Sequence, residues 1–224
     1  MKILKITLVA VISSFLMVLP SSAVEKRIGV AVGFTSVQAE GTETLKDTGV
    51  KSDSDAGAHV AIPSIFAELA ADNGFGLGIE HVPGSADINS KTRSRTLDHA
   101  GLGNDSGSNK ASAEIDGLTS VYLIKTFQSG FFVKAGQTTT TVNTKEVLTT
   151  GSTYKDVDVD GTVLGLGMHK TNDNGFFYRV SGEYTDYDTI KLTSGVADAV
   201  SGTVNTISAN VDTVAFKVSI GKAF

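Results

Sequence analysis

Hydrophobic residues return at every second position along much of this chain, and the positions between them are small or polar. Near the start, Ile28, Val30, Val32 and Phe34 stand against Gly29, Ala31 and Gly33. At the end, Val214, Phe216, Val218, Ile220 and Phe224 stand against Thr213, Ala215, Lys217, Ser219, Gly221 and Ala223, and Lys222 interrupts the apolar row. A period of two predicts β-strands, because successive side chains of a strand leave opposite faces. Eight stretches qualify: 27–37, about 58–70, a short one opening at Phe75, about 113–127, 131–142, 162–170, 176–187 and 213–224. The apolar face of such a strand suits a soluble core or the lipid around a membrane barrel, so the alternation alone leaves both open.

The connections separate these two readings. Asp72-Asn-Gly74, Gln128-Ser-Gly130 and Asp173-Asn-Gly175 are tight-turn signals. Between them the stretches at about 39–57, 84–112, 143–160 and 189–207 are long and rich in Thr, Ser, Asp, Gly and Lys. Long structureless loops are uncommon in compact soluble domains. Short turns on one rim and long polar loops on the other are the layout of an outer-membrane barrel, periplasm against exterior. Phe75, Phe127, Phe131, Phe132, Phe176 and Phe177 cluster at the short turns and Phe224 ends the chain, as an aromatic girdle at one interface requires. Pro63 inside the second strand predicts a bulge or a disturbed ladder.

Residues 1–23 read differently. Lys2 and Lys5 precede an apolar run to Leu19 and then Pro20-Ser-Ser-Ala23, the pattern of a cleaved secretory signal. The run is too short for a membrane-spanning helix, and no other run qualifies. That leaves 24–224 as one domain, too short for a 16-stranded porin. The absence of cysteine excludes a disulfide scaffold, a thiolate metal site and a lipid-modified cysteine. The net charge of −5 becomes −7 once Lys2 and Lys5 are removed, and that acidity argues against a nucleic-acid partner.

Candidate chemistry lies on the face opposite the apolar one. Glu68, Glu80, Lys134, Arg179, Glu183 and Lys217 are expected to point inward, three acids against three bases, because a charge facing lipid at the midplane costs about 2–4 kcal/mol. Glycines sharing that face make room for bulkier neighbours in a narrow interior. The charges form either an ionic plug, the favoured reading, or the selectivity element of a narrow channel. Lys125 is ambiguous, since facing it inward turns Tyr122 and Ile124 to lipid. Asp156-Val-Asp-Val-Asp160-Gly161 resembles the opening of a calcium loop, but the twelfth position, which should carry a bidentate carboxylate, is Gly167, so a strand entrance is favoured. His59, His81, His99 and His169 have no metal-site spacing, no motif marks a nucleophilic serine, and no enzyme or cofactor is expected. Lys91, Arg93 and Arg95 on the second long loop could meet lipopolysaccharide phosphates.

Taken together, signal, eight strands, three turns, four loops and terminal Phe224 resemble the small eight-stranded outer-membrane proteins of the opacity and OmpA-barrel type. The run Glu183-Tyr-Thr-Asp-Tyr-Asp188 also looks like strand seven of that family. The resemblance implies an all-β, eight-stranded antiparallel up-and-down transmembrane barrel in the bacterial outer membrane, with outer-membrane lipid as surroundings. It also implies that Phe216, Val218, Ile220 and Phe224 carry the signal read by the barrel-assembly machinery. A structural or surface-interaction role is expected first, with an unidentified loop partner. A narrow porin-like channel comes second. A soluble lipocalin-type barrel comes third, since its apolar face should be the inner one. Processing is directly testable: intact mass of the protein from outer membranes should correspond to a chain beginning at Val24, and a product retaining Met1 would contradict export.

Overall fold

The computed structural model describes residues 24–46, 49, 51–88, 92–98, 104–110, 113–145, 147, 153–195 and 202–224. The expected signal segment lies outside them. Among the described residues there are twelve strands: β1 Val24–Thr44, β2 Lys51–Ala71, β3 Phe75–His81, β4 Ser85–Ile88, β5 Thr92–Asp98, β6 Asn104–Lys110, β7 Ala113–Thr126, β8 Phe131–Thr144, β9 Val157–Thr171, β10 Phe176–Tyr187, β11 Ile190–Thr193 and β12 Thr206–Ala223. Eight of them close a ring in the order β1-β2-β3-β7-β8-β9-β10-β12, and β12 pairs back onto β1. All of these pairs are antiparallel, so the wall is an up-and-down barrel. β4 continues the line of β3 along β7, β11 that of β10 along β12, and β5 and β6 form a separate hairpin.

The two faces follow the alternation. Ile28, Val30, Val32, Phe34, Leu164, Leu166, Met168, Val214, Phe216, Val218 and Ile220 all face out and are exposed. In water this belt would be an aggregation surface, whereas a closed barrel with an apolar outside pairs its backbone groups strand to strand within lipid. Phe75, Phe127, Phe131, Phe176 and Phe224 are also exposed at the rim of short turns. Phe132 and Phe177, the second member of each adjacent pair, turn inward and are 2% and 3% exposed.

Strands run further than the hydrophobic period. A tilted strand crosses hydrocarbon in about 9–11 residues, yet β1 and β2 have 21 each. Most of the stretch 39–57, read from sequence as loop, is therefore paired strand. Above the lipid the outer face need not be apolar, and polar partners take over across the ladder. Thr42 Oγ1 donates to Asp53 Oδ1 (2.7 Å), Thr141 Oγ1 to Asp158 Oδ1 (2.8 Å) and Gln137 Nε2 to Thr162 Oγ1 (3.0 Å).

Pro63 brings no bulge: the β1–β2 register runs through Val32↔Pro63 without a shift. Its effect falls on the other side. The Ala71 carbonyl accepts from Gly74 N–H at the turn into β3 (2.8 Å), so Ala71, and every second residue back to Pro63, aims its backbone polar groups at β3. The β2–β3 ladder ends at Ile65↔His81. The next pair to exchange two bonds would be Pro63 with Pro83, and neither has an N–H. Beyond that rung β2 pairs only with β1, and β4 only with β7, which leaves a seam in the upper wall. Replacing both prolines by alanine restores two donors in register. The ladder should then extend one pair, and both new amides should show slow hydrogen exchange in the folded barrel. Fast exchange at both would mean that something other than the missing donors holds the seam open.

Candidate functional site

The six expected inward charges are all buried or nearly so, and they sort into two levels. At the level nearer the short turns, Glu68 on β2 receives Arg179 from β10 in a fork: Nη1 to Oε1 at 2.6 Å and Nη2 to Oε2 at 2.5 Å. Tyr122 on β7 donates its hydroxyl to Glu68 Oε1 (2.8 Å), and Arg27 Nη1 stands 3.8 Å from Oε2. Arg179 Nε donates to His169 Nδ1 (2.9 Å), which leaves His169 Nε2 to bond Thr171 Oγ1 (2.8 Å). Phe66, Phe132 and Phe177 surround the guanidinium, their ring centres 5.3, 5.4 and 5.1 Å away. A planar cation of delocalised charge suits such a box of aromatic faces.

One level up, four side chains from four strands close a ring. Lys134 Nζ on β8 lies 3.0 Å from Glu80 Oε2 and 2.7 Å from Glu183 Oε1. Lys217 Nζ on β12 lies 2.6 Å from Glu80 Oε1 and 2.9 Å from Glu183 Oε2. Ser64 Oγ adds a bond to Glu80 Oε1 (2.7 Å). Lys134 also sits 4.4 Å above the Tyr122 ring, which connects the two levels. Between them is a cavity of about 20 Å³, lined in part by Lys134, Arg179, Ser181, Lys217 and Ser219. That is room for about one water, with polar partners to hold it.

Space for these groups comes from glycine on adjoining strands. A Cβ on Gly78 or Gly136 would strike Tyr122, one on Gly29 the Phe66 ring, one on Gly167 the Phe132 ring and one on Gly221 the Phe177 ring. This settles Lys125, which faces outward while Tyr122 and Ile124, 3% and 2% exposed, face in. The register pairs Tyr122 with Gly78 on one side and Gly136 on the other, a signal present in the sequence once the strands are aligned.

The solved structure of outer membrane protein OprG from Pseudomonas aeruginosa is similar to this chain, with a TM-score of 0.56 at 13% identity, over 90% of this chain and 96% of that one. The fold is that of a small outer-membrane β-barrel. Outer membrane protease OmpT from Escherichia coli gives 0.49 at 10% identity, over 89% and 97%. Ail, the attachment invasion locus protein of Yersinia pestis, gives 0.39 at 10% identity, over 89% and 99%. No protein-family model matches the chain, and no curated protein matches it.

Of the remaining candidates, those with described side chains fall away from the lumen. Phe216, Val218, Ile220 and Phe224 are on the lipid side of β12 and its end. Asp156 accepts from the Thr144 N–H (3.0 Å) and Asp158 from the Thr141 hydroxyl, so two carboxylates of the calcium-like run tie β8 to β9. His81 bonds Thr119 Oγ1 (3.0 Å), and His59 is exposed opposite Ser36. Lys91 and His99 lie outside the described residues, and Arg93 and Arg95 are in β5, opposite Asn109 and Gly107. Sequence reasoning missed Arg27, His169 and Tyr122 as members of the network. It also set Arg179 against Glu183, its neighbour on the same strand, so that removing both charges was expected to recover stability; the structure instead pairs Arg179 with Glu68 and puts Glu183 in the upper ring.

Removing one member of a buried pair leaves an uncompensated charge and costs about 3–5 kcal/mol. Arg179→Ala should fall near the lower end, about 3 kcal/mol, because Tyr122 and Arg27 still face Glu68. Adding Glu68→Gln should recover part of the loss in urea unfolding, and adding Glu183→Gln should not. Parental stability in Arg179→Ala, or rescue by the Glu183 change alone, would contradict this pairing.

Proposed function

We propose that this protein is an integral outer-membrane barrel with a lumen shut by its own charges, whose work is done at its extracellular end. The ring of Glu80, Lys134, Glu183 and Lys217 carries this reading. Its four members reach from four strands and meet within hydrogen-bond distance, so an ion crossing the barrel must first break their contacts. A balanced ring offers no net field to attract either sign, unlike the one-signed rings of selective pores.

The far end of the barrel supports the same reading. Leu45, Tyr154 and Asn205 are buried where three connections meet. Lys46 N–H donates to Asn205 Oδ1 (3.4 Å), Ser194 N–H to the Asn205 carbonyl (2.9 Å) and Gly195 N–H to the Thr153 carbonyl (2.7 Å). Inward apolar residues beneath, Val159, Tyr187 and Ile190, pack into a second layer across the bore. Among the described residues these contacts fill the upper bore, which suits a role carried by the outside of the barrel, such as display or adhesion, better than passage through it. On this reading the protein is not an enzyme, Lys91, Arg93 and Arg95 face lipopolysaccharide phosphates, and the assembly machinery reads the lipid face of β12.

Conductance tests this. The refolded barrel in a planar bilayer should give no steps or very small ones, and Lys134→Ala, which opens the ring, should raise them. A parent with steady, ion-selective conductance would overturn the closed barrel and establish the narrow channel instead.

A further inference from the structure

One tetrapeptide occurs twice: Asp-Asn-Gly-Phe at 72–75 and again at 173–176. Both copies fold alike. Gly74 N–H donates to Ala71 O (2.8 Å) and Gly175 N–H to Asn172 O (3.0 Å), with the glycines at φ 81° and 78°, where other residues are strained. Each glycine carbonyl then accepts from the strand alongside, Gly74 from Thr126 N–H and Gly175 from Ala223 N–H, both at 2.8 Å. The residue before each of these donors is a lysine, and the register sets it opposite the phenylalanine of the repeat: Phe75↔Lys125 and Phe176↔Lys222.

The result is one arrangement built twice. Lys125 Nζ lies 4.2 Å from the centre of the Phe75 ring and 5.8 Å from that of Phe127. Lys222 Nζ lies 5.1 Å from Phe176 and 5.3 Å from Phe224. All four rings are exposed on the outside of the barrel. In the eight-strand circuit the β3–β7 and β10–β12 pairs are four strands apart, so the two arrangements are on opposite sides.

Ring faces attract and orient an ammonium, but they carry no counter-charge. Among the described residues neither lysine is in an ion pair. Lys125 gives one N–H to the Asn73 carbonyl, and its other donors stay available. Asp72 and Asp173, at the corners of the turns, are exposed and meet neither ammonium. On the strand to the other side of each lysine the cross-strand neighbour is apolar, Val133 beside Lys125 and Ile28 beside Lys222. A lysine held at the edge of an apolar surface, with open donors and no carboxylate, is complementary to a phosphate whose acyl chains lie along that surface.

We propose that these two sites bind the phosphodiester of an anionic glycerophospholipid in the leaflet at the short-turn rim. The choice of leaflet rests on the orientation in the functional reading above, which puts the short turns in the periplasm. The repeated turn acts as a jig: it places the phenylalanine at the first lipid-facing position and fixes, through the glycine carbonyl, the strand that carries the lysine.

The test uses the folded mature barrel in phosphatidylcholine vesicles containing phosphatidylglycerol or, separately, lipid A. Native mass spectrometry counts the lipids retained, and heat-modifiability on gels confirms folding. The parent should retain up to two phosphatidylglycerols in preference to phosphatidylcholine, less so at high salt. Lys125→Gln or Lys222→Gln should each weaken retention about fivefold, equivalent to about 1 kcal/mol per lysine. The double variant should lose the preference. Lys170→Gln, an outward lysine opposite Tyr178 but outside the repeat, should leave it unchanged. Equal retention by parent and double variant would overturn the proposal. Retention of lipid A over phosphatidylglycerol through these same lysines would also overturn it, by inverting the orientation while leaving the closed lumen untouched.

Discussion

The interior of an eight-stranded barrel is about as wide as the side chains that fill it, and every other feature of this protein follows from that confinement. No inward group can be large unless its neighbours across the ladder are small. Phe66 lies over Gly29, Tyr122 between Gly78 and Gly136, Phe132 over Gly167 and Phe177 over Gly221. The rings so placed form the box that holds Arg179, and Arg179 holds Glu68. A glycine thus acts at two removes on an ion pair that it never touches.

Confinement also governs the charges. Replacing a buried ion pair by well-packed apolar residues is often neutral or stabilising, so net stability is a weak reason for this network. Register is a better one. Sliding any strand by two residues keeps every apolar side chain towards lipid, and hydrophobicity alone cannot tell the slipped barrel from the native one. A slip of β3 by two would carry Glu80 out of reach of both Lys134 and Lys217, and leave two buried cations to share Glu183 alone. The penalty for such partial satisfaction makes the charges discriminate between registers that the alternation leaves equivalent.

This division of labour explains how much of the structure was legible. Strand number, the assignment of faces and the inward side of six charges all rest on the period of two, which each strand carries by itself. What each strand cannot carry is its partner. Glu183 precedes no basic residue that marks Lys134 and Lys217 as its contacts, and Arg27 sits at the strand entrance, where inward and outward positions are least constrained. The phase of β7 was open for the same reason: Lys125 breaks its alternation, and only the glycines opposite Tyr122 decide it. The upper halves of β1 and β2 were read as loop because polar residues there pair outward above the lipid, where no apolar face is required.

The seam and the ring come from one place in the wall. Backbone pairing between β2 and β3 stops at Ile65↔His81, immediately beside the upper level of charges. The Ser64 hydroxyl reaches from β2 to Glu80 on β3, so a side-chain bond stands next to the last backbone rung. Above it no ladder joins these edges, and an open strand edge in lipid or water exposes donors and acceptors that want partners. Two prolines opposite each other remove the two donors that the next rung of this ladder would need, so the zip stops there. Glu80 therefore serves in two directions: across the bore it holds Lys134 and Lys217, and along the wall it fastens the strand on which the barrel stops being zipped. Closing the lumen and ending the ladder are, in this chain, the task of the same carboxylate.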